Sequence, residues 1–293
     1  MTEPAAISSP ADKRAAFRAL HDHGCFVLPN PWDVGSARYL QHLGFKALAT
    51  TSSGVAFTMA LPDNAVTRDA MLTHVRAVVE ASDVPVNADY EAGYSDTVEG
   101  VAGNVRLCIE TGVAGLSIED STRDPVQPLY DLDVAVARVR AARAAIDASG
   151  ADVILTARAE CHVVGHPAPL AESLRRLRAY ADAGADCLYA PGLRTADDVR
   201  AVVEAVAPKP VNVLVSAPIG LTVGDLAALG VRRISVGSAL ARAAWGGFQR
   251  AAREIAERGA FDALAEAPPF AELNRFFRDD VARRGDRRRK SER

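Results

Sequence analysis

Short runs of β-branched and other apolar residues recur along the chain, separated by longer stretches in which apolar residues lie three and four positions apart. A strand period that alternates with a helical period predicts successive βα units. A typical helical stretch is DVAVARVRAARAAIDASG at residues 133–150. The eight predicted strands are FVLPN (26–30), ALATT (47–51), VPVNADY (84–90), GLSIED (115–120), DVILTARAE (152–160), CLYAP (187–191), PVNVLV (210–215) and RRISVG (232–237).

Eight βα units in one chain predict a (β/α)8 TIM barrel, with a barrel core over about residues 13–257. A doubly wound sheet is the alternative, but no glycine-rich dinucleotide fingerprint follows a predicted strand. Glycines that end predicted helices support the unit boundaries: Gly44, Gly112, Gly184 and Gly230. Residues 258–282 are expected to form a C-terminal helical segment, and residues 1–12 and 283–293 are expected to be flexible.

Composition sets the class of protein. Hydrophobic residues make up 49% and charged residues 24% of the 293 positions, as in an ordinary soluble domain. No apolar run approaches the roughly 20 residues of a membrane span, and the first residues do not resemble a signal peptide. We therefore expect a cytoplasmic protein without a membrane partner. The four cysteines form no CxxC pair, which predicts free thiols.

Charge is unevenly distributed. The formal net charge is −3, but residues 283–293 alone carry +5, so the rest of the chain carries −8. A negative body without interleaved basic and aromatic residues does not favour nucleic-acid binding. We expect no nucleic-acid partner.

Acidic side chains follow several predicted strands. Asp89 and Glu91 end the third strand, Glu119 ends the fourth, and Asp63 lies in the loop after the second. In a barrel these strand ends meet at one mouth, where active sites lie. Two like charges about 4 Å apart repel by roughly 4 kcal/mol at an effective dielectric of 20, and a divalent cation relieves that repulsion. Oxygen ligands select Mg²⁺ or Mn²⁺ over zinc.

Other polar residues extend this predicted site. Arg158 ends the fifth strand and can bind a substrate carboxylate or phosphonate, or it can merely neutralise Glu160 or Glu119. TTSSGV after the second strand is a candidate anion-binding turn. No lysine follows a strand, which argues against a Schiff-base mechanism. His162 and His166 follow the fifth strand and are candidate acids or bases, or solvated loop residues. Asp96 and Asp120 are candidate helix caps or salt-bridge partners.

The motifs TTSSGV…LPD, NADYEAGY, LSIED and LTARAE resemble the isocitrate lyase/phosphoenolpyruvate mutase superfamily over about residues 26–277. The resemblance implies metal-stabilised enolate chemistry on a small 2-oxo or 2-hydroxy acid. It also implies a homo-oligomer, a dimer or tetramer, in which the C-terminal helical segment is exchanged between subunits.

The same resemblance implies roles for individual residues. Asp89 would bind Mg²⁺ most directly, and Asp63, Glu91 and Glu119 would hold it partly through water. Substrate binding falls to Ser53, Gly54, Val55 and Arg158, and the implied catalytic residues are Arg158 and Ser53.

The loop after the fourth strand departs from the superfamily's lyases. Those lyases carry a Lys-Lys-Cys-Gly-His loop there, whereas this chain reads DSTRDPVQPLYDLD, without Cys, Lys or His. We therefore expect a Mg²⁺-dependent carbon–carbon lyase, with decarboxylation of an oxaloacetate-like substrate as the favoured reaction. The alternatives are an isocitrate- or methylisocitrate-type lyase with a replaced base, phosphonopyruvate P–C bond chemistry, and a barrel that binds a diacid without turnover.

Overall fold

The computed structural model describes residues 9–291. Eight parallel strands form its sheet, and each lies inside a predicted run. They are β1 (Phe26–Leu28), β2 (Leu48–Ala49), β3 (Val86–Asp89), β4 (Gly115–Glu119), β5 (Ile154–Arg158), β6 (Cys187–Tyr189), β7 (Val211–Leu214) and β8 (Arg233–Ser235). The helices are α1 (Pro10–Asp22), α2 (Val34–His42), α3 (Ser52–Thr58), α4 (Arg68–Ala81), α5 (Val98–Ile109), α6 (Leu132–Ser149), α7 (Pro169–Asp182), α8 (Ala196–Val206), α9 (Val223–Ala228), α10 (Ala239–Arg258) and α11 (Phe270–Ser291), with a 3₁₀ turn at Asp262–Glu266.

The strands pair in the order β1-β8-β7-β6-β5-β4-β3-β2. A backbone hydrogen bond from Ala49 N to Pro29 O, 3.0 Å long, links the two ends of that order. The predicted (β/α)8 barrel is confirmed. All four glycines predicted to end helices have φ between +87° and +99°, the left-handed conformation that glycine adopts without strain.

Helix α1 closes the amino end of the barrel. Phe17 packs so closely on β4 that a Cβ added to Gly115 would lie 2.6 Å from its ring. Ser9 caps α1 in a capping box with Asp12, and Pro10 occupies the first turn. The expectation that residues 1–12 are flexible is therefore wrong for residues 9–12, because the cap and Pro10 begin a helix there. Residues 1–8 lie outside the described range.

The C-terminal segment also differs from its predicted boundary. Helix α11 continues through residues 283–291, where a flexible tail was expected. Asp280 lies one turn before the tail, 3.0 Å from Arg284 Nε, and an i,i+4 ion pair of this kind stabilises a helix. Asp280 also binds the buried Arg38 of α2, with 2.6 Å between Oδ1 and Nη2, so α11 packs on the barrel of its own chain.

Between residues 9 and 291, no helix combines the length and the apolar character that a membrane crossing requires.

Candidate active site

The carboxyl ends of the strands open into a cavity of about 460 Å³. Polar side chains from strand ends and the following loops form much of its wall, as the barrel architecture predicts. The titratable side chains that line it are Asp63, Asp89, Glu119, Arg158, Glu160, Tyr189, Arg233 and Arg242. The fold thus brings together three of the four predicted metal ligands and the predicted substrate-binding arginine.

Arg158 lies at the centre of the acidic residues. Its Nη1 is 3.0 Å from Asp89 Oδ1 and 3.2 Å from Glu119 Oε2. Its Nη2 is 2.8 Å from Glu160 Oε1. The guanidinium thus neutralises carboxylates from β3, β4 and the loop after β5. Burial raises the pKa of Glu119 and of Glu160, and the charge on Arg158 opposes that rise.

Asp89 is held from the other side by the start of α3. Its Oδ2 accepts hydrogen bonds from the Ser52 backbone N–H at 2.9 Å and from the Ser52 hydroxyl at 2.8 Å. The N–H of Asp89 in turn donates to Thr50 Oγ1 at 2.9 Å. A carboxylate at a helix amino end is favourable because the first N–H groups of a helix lack backbone acceptors.

The three residues predicted to bind the substrate anion occupy the first turn of α3. Ser53 lines the cavity. Gly54 is buried, and its N–H donates to Thr51 Oγ1 at 3.3 Å. Val55 is also buried, and its N–H donates to Thr51 O at 3.0 Å. The backbone donors of Gly54 and Val55 are thus engaged within the first turn of the helix. Ser53 is half-buried and offers its hydroxyl, which lies 3.5 Å from Thr51 Oγ1.

Glu91 points away from the other acids. Its backbone φ is +48°, and its carboxylate accepts a hydrogen bond from Tyr94 OH at 2.8 Å and pairs with Arg123 of the β4–α6 loop. Glu91 is absent from the described cavity wall. Burial raises the pKa of Glu91 to about 6, although the charge on Arg123 acts in the opposite direction.

The family model described as phosphoenolpyruvate phosphomutase matches residues 17–256. The chain belongs to this family. The match spans all eight strands and so includes every residue of the acidic cluster. Relatives in the superfamily include carbon–carbon lyases, among them 2-methylisocitrate lyases and oxaloacetate decarboxylases.

Three relatives illustrate the range of the phosphomutase family. A lyase/mutase-type crystal structure from Burkholderia cenocepacia J2315 is 48% identical, with a TM-score of 0.88 over 92% of this chain and 97% of that one. The oxaloacetate decarboxylase of Paraburkholderia xenovorans is 28% identical over 80% of this chain and 78% of that protein. A phosphonopyruvate hydrolase crystallised with oxalate and Mg²⁺ is 26% identical, with a TM-score of 0.80 over 92% and 96% of the two chains.

The acidic cluster is suited to a hydrated Mg²⁺ ion. Asp63, Asp89 and Glu119 present only oxygen atoms to the cavity. Across residues 9–291, no three potential ligand side chains converge closely enough to hold an ion by themselves. Mg²⁺ commonly keeps several waters and binds one or two carboxylates directly, so an ion at this site would be held by few protein oxygens and by water.

The histidines and cysteine near β5 do not reach the cavity. Its described lining contains no histidine, cysteine or lysine. Cys161 is fully buried, and His162 packs against Gly192 instead. Asp120, predicted as a cap or a salt-bridge partner, is a buried salt-bridge partner, 3.0 Å from Arg176 Nη1. The site therefore offers few groups for proton transfer.

The polar residues of this wall that were not predicted from the sequence include Tyr189, Asn212, Arg233 and Ser235. All four belong to β6, β7 and β8 and are buried. A signal was present, because Arg233 and Ser235 are two positions apart on one strand and so share the face that points into the barrel.

Proposed function

We propose that the protein is a Mg²⁺-dependent enzyme that cleaves a carbon–carbon bond in a small 2-oxo or 2-hydroxy dicarboxylate. Decarboxylation of an oxaloacetate-like acid is the reaction we favour. The observation that carries the proposal is the Arg158 cluster, in which one guanidinium binds Asp89, Glu119 and Glu160 at the cavity wall.

The proposed role of each residue follows from its position in the site. Asp89 would hold the cation most directly, with Asp63 and Glu119 around it, and Mn²⁺ would be an acceptable substitute. When bound, the cation supplies Lewis-acid stabilisation of the negative charge that develops on the 2-oxygen. Arg158 supplies donors for a carboxylate of the substrate, and the Ser53 hydroxyl binds the same anion from the start of α3. Glu91, paired with Arg123, would act on the cation only at a distance.

The cavity lining supports decarboxylation over other cleavages. Loss of CO2 leaves its electron pair on the substrate, so bond cleavage itself requires no protein base. An aldol-type cleavage of a 2-hydroxy acid requires a base for the hydroxyl proton. The described cavity wall contains no histidine, cysteine or lysine for this role, three of its four carboxylates pair with Arg158, and Tyr189 is protonated at neutral pH. The oxaloacetate decarboxylase among the relatives agrees with this preference.

Cleavage of a larger 2-hydroxy acid is the second candidate. A cavity of about 460 Å³ leaves space beyond a four-carbon diacid. The 2-methylisocitrate lyase of Escherichia coli, 30% identical over 54% of each chain, agrees with this alternative. Phosphonopyruvate chemistry ranks lower, because Arg158 already shares its charge among three carboxylates.

A turnover screen tests the proposal. Oxaloacetate, methylisocitrate, malates and phosphonopyruvate are supplied with Mg²⁺, and released pyruvate, CO2, glyoxylate and phosphate are measured. We expect CO2 and pyruvate from oxaloacetate and no reaction in the presence of a chelator. Glyoxylate would identify the lyase, and phosphate would identify P–C cleavage.

Asp89→Ala tests the metal site. We expect this variant to lose turnover and the thermal stabilisation by Mg²⁺ plus oxalate together. Asp197→Ala, an exposed carboxylate on α8, is the matched control. Full turnover in Asp89→Ala would refute the metal assignment. Stabilisation of the wild-type protein by the diacid without any turnover would indicate a binding protein.

Self-association is part of the same proposal. Helix α10 buries only Ala241 fully, whereas Trp245 and Phe248 expose 38% and 61% of their surface. Apolar side chains grouped in this way favour a subunit interface. Sedimentation of the protein should give a dimer or tetramer, and substitution of Phe248 by Glu should lower that mass.

A further inference from the structure

We propose that Tyr189 is the proton donor of this site, and that it protonates the carbon left with an electron pair when the carbon–carbon bond breaks. The inference rests on the proposed function, because it assigns the acid that the reaction needs. It begins from the described cavity wall, in which a tyrosine is the remaining acid once two sets of carboxylates are set aside: those that bind Arg158, and Asp63, which is proposed to hold the cation. Tyrosine is among the side chains that serve as general acids.

Tyr189 occupies a catalytic position in the barrel. It is the last residue of β6, directly opposite Arg158 of β5 in the parallel register. Its side chain lines the cavity and is buried. The Arg158 guanidinium carbon lies 5.0 Å from the centre of its ring. The phenol is therefore beside the residue proposed to hold the substrate carboxylate.

A hydrogen-bonded chain of buried side chains lies on β7 and β8, the strands that follow β6. Arg233 Nε donates to Asn212 Oδ1 at 2.8 Å, and an arginine can only donate. The carbonyl oxygen of the Asn212 amide is thereby fixed toward Arg233, and its NH2 group donates to Ser235 Oγ at 2.9 Å.

This polarity leaves the Ser235 hydroxyl as a donor at the end of the chain. Because Ser235 Oγ accepts from Asn212, its own hydrogen is directed to another acceptor. Ser235 acts to lower the pKa of Tyr189, as a neighbouring hydroxyl does when it donates to a phenol oxygen. In the proposed arrangement the Ser235 hydroxyl donates to the phenol oxygen, and Tyr189 donates its own hydrogen into the cavity.

The resting protonation state is suited to an acid. Burial raises the pKa of Tyr189 to about 12, and the charges on Glu160 and Asp89 act in the same direction, against the lowering effects of Arg158 and Ser235. The phenol is therefore protonated at neutral pH. The same two neighbours stabilise the tyrosinate that forms after transfer.

The proposed step balances as follows. The bond to the departing carboxyl group breaks, CO2 leaves, and the electron pair remains on the substrate as an enolate. The O–H bond of Tyr189 breaks, a C–H bond forms at the former attachment carbon, and the keto acid is released. Water from the open cavity then returns a proton to the tyrosinate.

Tyr189→Phe tests the step because it removes the hydroxyl and keeps the ring beneath Arg158. The first readout is the exchange of pyruvate methyl protons for deuterium in D2O with Mg²⁺, followed by NMR, which is the reverse of the proposed transfer. We expect the variant to slow exchange by about 100-fold or more. The second readout compares CO2 release with ketone formation from oxaloacetate, because a variant without the donor releases the enol and ketone formation lags.

Two further variants separate a chemical role from a structural one. Tyr39→Phe removes a hydroxyl from α2, where the side chain is 43% exposed, and should change neither readout. Ser235→Ala retains the phenol and removes the hydroxyl that is proposed to donate to it. This variant should reduce exchange by a smaller factor than Tyr189→Phe does. It also provides the test if Tyr189→Phe fails to fold. Thermal stabilisation by Mg²⁺ plus oxalate should persist in both cavity variants.

The outcomes distinguish this inference from the proposed function. Wild-type exchange rates in Tyr189→Phe, or in Ser235→Ala if the first variant does not fold, would overturn the role of Tyr189 and leave decarboxylation intact. A second outcome is that the wild type exchanges pyruvate protons and Tyr189→Phe abolishes this exchange, while no diacid is turned over. This outcome would support the role of Tyr189 and overturn the proposed reaction. A wild-type protein that neither exchanges pyruvate nor turns over a diacid would overturn both.

Discussion

Replacing Arg158 with methionine removes one guanidinium from three carboxylates at once. The three pairs span 2.8–3.2 Å, and none of the four side chains is more than 18% exposed. Removing one partner of a buried ion pair costs about 3–5 kcal/mol, because the other charge stays desolvated. We therefore expect Arg158→Met to lower the free energy of unfolding by about 3–5 kcal/mol at pH 8 in the presence of a chelator.

The loss should shrink at pH 5. Burial raises the pKa of Glu119 and of Glu160 in the folded protein. A carboxyl group whose pKa is raised by folding stabilises the folded protein most fully below the unfolded-state pKa. That stabilisation is lost as the pH rises through the folded-state pKa. Without Arg158 both pKa values rise further, so protonation of Glu119 and Glu160 as the pH falls removes part of the uncompensated charge.

Urea unfolding of the wild type, Arg158→Met and Arg200→Met at pH 5 and pH 8 measures both effects. Arg200 pairs with Asp197 on the surface of α8, where such a pair contributes at most about 1 kcal/mol. The reasoning is refuted if Arg158→Met costs no more than Arg200→Met, or if its cost is the same at both pH values. Either result would mean that water screens the three carboxylates.

Three other substitutions lead to separate predictions. Asp89→Ala should eliminate Mg²⁺-dependent turnover and Mg²⁺ plus oxalate stabilisation together, in a thermal shift and activity assay. With a chelator, Glu91 should contribute a fall in stability of up to about 2 kcal/mol between pH 4.5 and 7, because its pKa is raised from 4.5 to about 6. In urea unfolding, the stability of Glu91→Gln should therefore fall less than that of the wild type over this range, by up to that amount. Arg38→Met should leave Asp280 without its buried partner and increase hydrogen exchange in α11 more than in the barrel strands.

The barrel and part of its site were predictable because their signals are local. Each strand appears as a short apolar run, and the rule that barrel sites lie at strand ends needs no knowledge of distances. That rule alone is sufficient to bring Asp89, Glu119 and Arg158 together. The structure confirms their proximity, while their roles as metal ligands and substrate-binding group stay predictions.

The orientation of Glu91 was not predictable in the same way. Its spacing from Asp89 suggests two acids side by side, but a φ of +48° turns its carboxylate toward Arg123 and Tyr94. A single non-glycine residue in the left-handed region leaves no pattern in the sequence. The partner is 32 positions away in a loop, and no periodicity specifies the conformation of that loop.

The chain beneath Tyr189 depends on register between strands. Asn212 and Arg233 are directly paired residues of β7 and β8, which is why their side chains meet inside the barrel. The sequence alone shows two polar residues within apolar runs, and such residues fit the outer face of a strand as well as its inner face. Once the register is known, the donor-only chemistry of Arg233 fixes every hydrogen bond up to Ser235.

The charge around the cavity gives an argument for a cation that is independent of the relatives. Four carboxylates and three guanidinium groups line the described wall. The wall therefore carries a formal excess of negative charge, and its central cation, Arg158, is already shared among three of the acids. A dianionic substrate entering this wall would be repelled, since like charges about 4 Å apart cost several kcal/mol in a partly desolvated site. A divalent cation held by these acids would reverse the sign of the local charge. The proposed metal ligands would then favour, through the cation, the same substrate that they repel in its absence.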